Sequence, residues 1–508
     1  MISSRKVKKI SKDVKKLIDD KYEEARPPPE HHGVPPRTSV SYLPPNQTEN
    51  LRKWKYKVVD LSLSTKLMTG YWNFCASWVP RWIAPNVLTL MSAISNVGCA
   101  FAALRAQREA TGSEDGIFWS AMSAVLCFAG QTLDAIDGKH ARNTGQSSPL
   151  GEYWDHGCDA CTAPLLTIIT VPVALGLTSP VAIWIFVFAL NIGFREPHCA
   201  AMISGVIYFD KIIDVGEGGL LLDFFLVARA VRGNVGILPP TWQGDVVREC
   251  CAVVFPFGAM AMWGIIKTYA HGLLGGEHGE SKRSSCRRLL ICTLMDAAAT
   301  AYGVSFFMTT PTLDGLQASG SDATVTYSWT TMGPMLAVAL VSSVATCDSI
   351  LAKMCGRKVA WWIPVFTAGL HVMSFMWWRG AVVAALVFHL WAVRRVCKAL
   401  GLPFLRKSIV VYTDGVFDMC HMGHFNLLRR AKALGDKLIV GVGSDLLCAS
   451  YKRKPLMNEK ERKAALMALP WPTEVVLVDD FVQSLTVKNL KALDVDVVAH
   501  GEEYDPGK

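Results

Sequence analysis

The chain has 508 residues, of which 51% are hydrophobic and only 19% charged, with a mean hydropathy of +0.26. A soluble chain of this length would divide into several cores under charged surfaces, so the balance excludes an ordinary soluble protein and points to a polytopic membrane protein. The net charge of +9, from 52 Lys+Arg against 43 Asp+Glu, fits loops facing anionic lipid; with no Arg-rich helix or aromatic RNA-binding signature, nucleic acid is excluded as a partner.

Residues 1–60 form a polar N-terminal segment. Within it Lys6 to Glu24 spaces Ile10, Val14, Leu17 and Ile18 along one side of a basic helix, whose face suits solvent as well as a membrane surface. Pro27 to Pro45 holds seven prolines and reads as a linker. No signal peptide is expected, because the first long apolar stretch begins only near Trp82.

Residues 61–400 carry about ten apolar segments of membrane-spanning length, roughly 20 residues each for a core of about 30 Å. They centre near Ser95, Val125, Ile168, Val187, Phe225, Met260, Ala298, Leu340, Ala368 and Phe388. The loop from Thr309 to Thr331 lacks Lys and Arg, while the flanking loops carry Lys282, Arg283, Arg287 and Arg288 on one side and Lys353, Arg357 and Lys358 on the other. That alternation predicts a cytoplasmic N-terminus, a cytoplasmic 134–159 region and a cytoplasmic C-terminal part beyond Arg394. The sequon Asn46-Gln47-Thr48 then never meets the glycosylation machinery. The 15 cysteines are scattered through apolar stretches and read as reduced packing residues, Cys158-x-x-Cys161 included.

From Gly401 the rhythm changes to a soluble α/β pattern, residues 401–508. Strands are expected at Ser408–Thr413, Lys437–Val442, Val475–Val478 and Val495–Ala499, and helices at Gly423–Leu434, Glu459–Ala468 and Leu485–Leu493. Alternation of this kind predicts a Rossmann-like domain with a parallel sheet.

The chemistry concentrates in Asp134-x-x-Asp137-Gly138-x-x-Ala141-Arg142 and Gly151-x-x-x-Asp155-x-x-x-Asp159. Spacings of three and four put each acid pair on one helix face. Four carboxylates at the ends of apolar helices repel one another unless cations compensate them, and hard oxygen ligands suit Mg²⁺ or Mn²⁺. A two-ion site, with metals about 4 Å apart, could clamp a diphosphate. Gly138 and Gly151 leave room for substrate near the backbone, and Arg142 suits a phosphate. A hydroxyl nucleophile needs a proton acceptor; His156 among the acids fills that role, Glu152 one turn earlier could orient it, and Asp159 is the next candidate base. Asp296 and Asp348, inside apolar segments, read as helix-packing or vestibule residues, and His140 as a surface residue.

This segment matches the signature of the CDP-alcohol phosphatidyltransferase family in every fixed position. Gly70-Tyr71-Trp72, Trp82-Ile83-Ala84-Pro85-Asn86, Leu133-Asp134-Ala135-Ile136-Asp137-Gly138-Lys139, Ser148-Pro149-Leu150-Gly151-Glu152 and Asp155-His156-Gly157-Cys158-Asp159 resemble the eukaryotic choline/ethanolamine phosphotransferases. The resemblance implies two metal ions on Asp134, Asp137, Asp155 and Asp159. It also implies that Asn86 and Thr89 join Gly138, Ala141, Arg142 and Gly151 around the CDP group, and it supports the His156–Glu152 pair. The implied reaction moves phosphocholine or phosphoethanolamine from CDP-choline or CDP-ethanolamine to diacylglycerol, with release of CMP, in an endoplasmic reticulum or Golgi membrane. A homodimer is left open.

The C-terminal stretch carries Asp414-Gly415-Val416-Phe417-Asp418 and His421-Met422-Gly423-His424 where a strand gives way to a helix. Histidines at a helix N-terminus are placed to grip a triphosphate. The pattern resembles the phosphocholine and phosphoethanolamine cytidylyltransferases, which implies CTP as ligand, His421 and His424 as catalytic residues, and Lys452 and Arg462 as phosphate contacts. The family's Arg-Thr-x-Gly-Ile-Ser-Thr segment is not found before Lys508, so weak cytidylyltransferase activity is expected. The alternative is a membrane-anchored cytidylyltransferase that makes the CDP-alcohol.

Overall fold

A computed structural model describes residues 43–204, 206–209, 215–243, 245–251, 280–309, 329–451 and 453–500. The helix expected at Lys6–Glu24, most of the proline linker, the segment centred on Met260, the loop between Thr309 and Trp329, and Lys452 lie outside the described residues.

In chain order the described elements begin with α1 (Pro45–Lys53), β1 (Val58–Asp60), α2 (Leu63–Trp78), α3 (Pro85–Arg108), α4 (Glu114–Asn143) and α5 (Pro149–Leu165). A π-helical turn, Leu166–Thr170, joins α5 to α6 (Val171–Leu175). The turn lies between Pro164 and Pro172, neither of which can donate a helical hydrogen bond, so the register loosens there without ending the span. Then come α7 (Pro180–Ser204), β2 (Ile207–Phe209), α8 (Val215–Val231), α9 (Val246–Glu249), α10 (Glu280–Thr309), α11 (Trp329–Cys355), α12 (Ile363–Met376) and α13 (Trp378–Leu400).

Among the described residues, seven helices are long and apolar enough to cross a membrane: α3, α4, α5–α6, α7, α10, α11 and α13. The chain is thus a multi-pass membrane protein, with fewer full-length spans described than the ten expected. The Phe225 segment forms α8, of 17 residues, and the Ala368 segment forms α12, of 14. α12 is short because the backbone turns extended at Trp377 (φ −152°), which separates it from α13.

Helix α11 is the hub of this domain. It packs against α5, α7, α10, α12 and α13, and nearly every residue from Thr331 to Cys355 is buried. The charged side chains buried beside α11 are paired, as the cost of burying charge requires. Arg195 of α7 meets Asp296 of α10 at 2.6 Å, and His371 of α12 meets the other oxygen of Asp296 at 2.8 Å. Asp348 of α11 pairs with Arg357 at 2.5 Å and accepts the Ala360 N–H at 2.8 Å. Both aspartates are therefore packing residues. Elsewhere α3 and α4 approach closely over small residues: Ser92 donates to the Gly130 carbonyl and Ser95 to that of Leu126, both at 2.9 Å. A Cβ at Gly130 would stand 2.5 Å from Asn96 Oδ1, so glycine is what permits this approach. Cys158 and Cys161 are free thiols.

α13 stops at Gly401, whose φ of +66° suits glycine. After it come β3 (Val410–Gly415), α14 (Met422–Ala433), β4 (Lys437–Gly443), α15 (Asp445–Tyr451), α16 (Glu459–Met467), β5 (Glu474–Val478), α17 (Phe481–Ser484), α18 (Val487–Ala492) and β6 (Val497–Val498). The four strands are parallel in the order β5-β4-β3-β6. Val411, Phe417, Leu428, Leu438, Val440 and Leu466 form the core between sheet and helices. Strand β3 begins two residues later than expected, because the Ile409 N–H is spent on the Asp436 carboxylate at 2.9 Å. Expected strand Val495–Ala499 is reduced to β6, two residues paired with Val411 and Tyr412.

Candidate active site

The end of α4 and the start of α5, both packed on α3 and joined by the short segment 144–148, bring together the residues singled out in the sequence. Ser148 caps α5 by accepting the Gly151 N–H at 3.2 Å, with Pro149 in the first turn. This fixes where α5 begins, and so which residues face α4. Carboxylate oxygens of Asp134, Asp137 and Asp155 come within 4.8 Å of one another; Asp159, one turn further along α5, is not in that group. Asp137 is buried and accepts a hydrogen bond from the Thr89 hydroxyl of α3. One oxygen of Asp134 is buried with no hydrogen-bond partner. Three converging carboxylates with an orphaned oxygen among them form a hard, anionic donor set, and that chemistry fits a divalent cation.

A cavity of about 530 Å³ opens over this cluster. Asn86, Thr89, Asp137, Gly138, Ala141, Arg142, Gly151, Glu152, Asp155 and His156 all line it. The cavity thus gathers the residues expected around the CDP group together with Asp137 and Asp155, while Asp134 and Asp159 are not in its lining. A Cβ at Gly138 or Gly151 would meet only atoms 3.5 Å or more away, so the space beside both backbones belongs to the cavity. Arg142 lines the cavity with no protein acceptor within hydrogen-bond reach among the described residues.

Besides Asp159, three placements depart from expectation. Glu152 does not orient His156: its oxygens accept from Trp54 Nε1 at 2.6 Å and Lys353 Nζ at 3.0 Å, with Lys353 also over the Trp54 ring at 5.3 Å. The Glu152–Lys353 pair is buried, so the carboxylate is committed to tying α5 to the end of α11 and to the segment before β1. His156 instead stands between the rings of Tyr56, 6.0 Å away, and His198, 5.0 Å away. His140 is no surface residue but 1% exposed, its ring bonded to the Ile83 carbonyl at 2.9 Å, because the last turn of α4 packs on the turn before α3.

Sequence reasoning missed Trp54, Tyr56, Lys353 and Phe404. Trp54, Tyr56 and Phe404 line the cavity. In the sequence Lys353 signals only the charge of its loop, and the others come from segments that carry no motif.

In the α/β domain the loop after β3 presents the second group. His421 caps α14, its Nδ1 accepting the Gly423 N–H at 3.1 Å, and His424 Nδ1 accepts the His421 N–H at 3.4 Å. The two rings are 4.1 Å apart. They lie at the carboxyl end of β3, where the strand order reverses, with β4 and then β5 on one side and β6 on the other, a place where open α/β sheets bind ligands. Asp418 accepts the N–H groups of Leu456 and Met457, and those bonds hold its carboxyl below the ordinary aspartate range. Burial pushes the Asp414 carboxyl up, with the Ser484 hydroxyl opposing the shift. Arg462 does not present itself to a phosphate. It is fully buried, donating to the Met457 and Val416 carbonyls and, at 2.6 Å, to Asp445.

Residues 82–207 match the family model for CDP-alcohol phosphatidyltransferase and residues 412–506 that for cytidylyltransferase-like proteins. Cholinephosphotransferase 1 of Gallus gallus is 34% identical over 197 residues, 38% of this chain and 57% of its own length. Cholinephosphotransferase 1 of Homo sapiens is 34% identical over 37% of this chain and 46% of its own. An uncharacterized CDP-alcohol phosphatidyltransferase class-I family protein 3 of Dictyostelium discoideum is 36% identical over 37% of this chain and 47% of its own. The chain spans about half the length of these curated relatives. A lipopolysaccharide core biosynthesis protein from Thermoplasma volcanium matches 20% of the chain at 26% identity with a TM-score of 0.18, too low to speak to the fold.

Proposed function

We propose that the chain, whose residues 82–207 and 412–506 match the two family models, transfers phosphocholine or phosphoethanolamine from the CDP-alcohol to the hydroxyl of diacylglycerol and releases CMP. The observation that carries this reading is the convergence of the Asp134, Asp137 and Asp155 carboxylates beside a cavity lined by Asp137, Asp155, Asn86, Thr89 and Arg142. Asp134, Asp137 and Asp155, with Asp159 one turn beyond, would hold Mg²⁺ or Mn²⁺. Divalent cations bound there supply charge neutralisation to the diphosphate and the departing CMP. Arg142, with no hydrogen-bond acceptor among the described residues, takes a phosphate oxygen, and Asn86 and Thr89 hold the nucleotide from α3. His156, on the cavity wall, accepts the proton of the lipid hydroxyl as its oxygen attacks phosphorus. Glu152 keeps α5 in register through Lys353 and Trp54. The membrane is an internal one of endoplasmic reticulum or Golgi type, with both termini cytoplasmic.

The test is direct. The purified protein in liposomes containing diacylglycerol should convert CDP-choline or CDP-ethanolamine into phospholipid and CMP in the presence of Mg²⁺ or Mn²⁺. Absence of product with both donors and both ions would overturn the reading. The His421–His424 pair at the N-terminus of α14 favours a second reading, CTP binding and cytidylyl transfer in the α/β domain. Formation of CDP-alcohol from CTP that disappears in His421→Ala would support it.

A further inference from the structure

We propose that the segment joining α13 to β3, Leu402 to Ser408, forms a wall of the transferase cavity, with Phe404 as the residue that stacks on the pyrimidine of the CDP-alcohol. The proposal rests on the functional reading above and adds to it a residue that neither family stretch, 82–207 or 412–506, contains.

The geometry is specific. Asn86 Nδ2 donates to the Phe404 carbonyl at 2.7 Å. The Phe404 ring meets Trp154 of α5 edge to face, centroids 4.6 Å apart at 87°, and Trp154 Nε1 donates to the Asn86 carbonyl at 3.2 Å. Three residues from α3, α5 and the joining segment therefore fix one another, and Phe404 and Asn86 both line the cavity. Asn86 lies three residues before Thr89, about 4.5 Å along the helix from the residue that bonds Asp137. A nucleotide with its diphosphate at the aspartates has its base displaced from them, and of the two aromatic residues bonded to Asn86, Phe404 is the one that lines the cavity. The other aromatic walls are engaged elsewhere: Trp54 holds Glu152, and Tyr56 stands by His156. A ring already held by Trp154 loses little freedom when a base stacks on it.

The segment is also held at its far end. Arg406 lines the cavity, but its guanidinium grips Asp436 of the α/β domain with two bonds, 2.6 and 2.9 Å. It serves as an anchor and not as a phosphate ligand. With Gly401 ending α13 on one side and Asp436 holding Arg406 on the other, the wall belongs to both domains. The α/β domain thus contributes to the transferase pocket whether or not its own histidines catalyse anything.

The experiment uses the full-length protein in diacylglycerol liposomes, with CDP-choline and CDP-ethanolamine varied separately. Base–aromatic stacking corresponds to about a 5- to 150-fold change in binding. Phe404→Ala should therefore raise KM for both donors within that range and leave kcat within about twofold, and Phe404→Tyr should restore KM. In parallel, amide hydrogen exchange over residues 402–408 should slow when CMP is added to the unaltered protein. An unchanged KM in Phe404→Ala, or a fall in kcat at constant KM, overturns the stacking role. Exchange unaffected by CMP overturns the wall. Should Phe404→Ala not fold, the Tyr variant and the exchange measurement decide. Loss of transfer in the unaltered protein would instead sink the functional reading, and CMP protection would still decide the wall on its own.

Discussion

Asp134 has a buried oxygen with no hydrogen-bond partner, an arrangement that folding alone would not favour. If it serves a cation, Asp134→Asn and Asp155→Asn should each lower transfer by at least about 100-fold while the protein still purifies folded, since each removes one charged ligand. Turnover by radiolabelled product formation checks this. EDTA should abolish transfer, and excess Mg²⁺ or Mn²⁺ should restore it; activity that survives chelation would exclude a readily exchanged ion. The Glu152–Lys353 pair makes a different prediction, on stability. Lys353→Met leaves a buried carboxylate without its cation and should cost about 3–5 kcal/mol, whereas Lys353→Met with Glu152→Gln should recover much of that loss. Thermal unfolding in detergent would show whether the second change rescues the first. The acids were legible in the sequence because spacings of three and four fix a helix face whatever the tertiary structure. The partners of Glu152 were not, because Trp54 and Lys353 lie 98 and 201 residues away and nothing local signals that they meet it.

Elements were legible where one physical preference dominates. Strand β4 was expected at Lys437–Val442 and ends one residue later, and α14 and α16 fall within a residue of expectation at each end. These boundaries carry strong local signals, such as the Asn458 cap with its reciprocal Glu461 bond. Apolar length was a poorer guide, because a run of hydrophobic residues does not reveal the break at Trp377 that shortens α12. Helix contacts supply a test at this scale. A Cβ at Gly333 of α11 would stand 2.5 Å from Trp378 Cε2 of α13. Gly333→Ala should therefore destabilise by about 1–3 kcal/mol, and Trp378→Leu should relieve part of the loss in the double variant. Equal melting temperatures for Gly333→Ala and the unaltered protein would mean that α13 yields at no cost.

At the scale of the whole molecule, a change in composition near Gly401 separated an apolar part from an α/β part, but nothing in it foretold that the two would touch at the site. Arg81, just before α3, pairs with Asp494 of the α/β domain at 3.1 Å. That pair is largely exposed on its Arg side, so Arg81→Ala should change stability by no more than about 1 kcal/mol. A larger drop in melting temperature would make this contact, and not Asn86–Phe404, the principal tie between the domains. Helix α11 has a further consequence, for how the molecule is made. Its sequence is predominantly apolar, with Asp348 and Lys353 as its charges, and in the finished structure its surface is taken up by other helices. A helix leaving the insertion machinery does not yet have the neighbours that follow it in the chain, and the apolar flanks that α12 and α13 will cover must be solvated by lipid until they arrive. For α11 lipid is a transit solvent, exchanged for protein as the later helices α12 and α13 close around it. A lipid-soluble carbene probe should label α11 heavily in nascent chains halted before Ile363, and hardly at all in the mature protein.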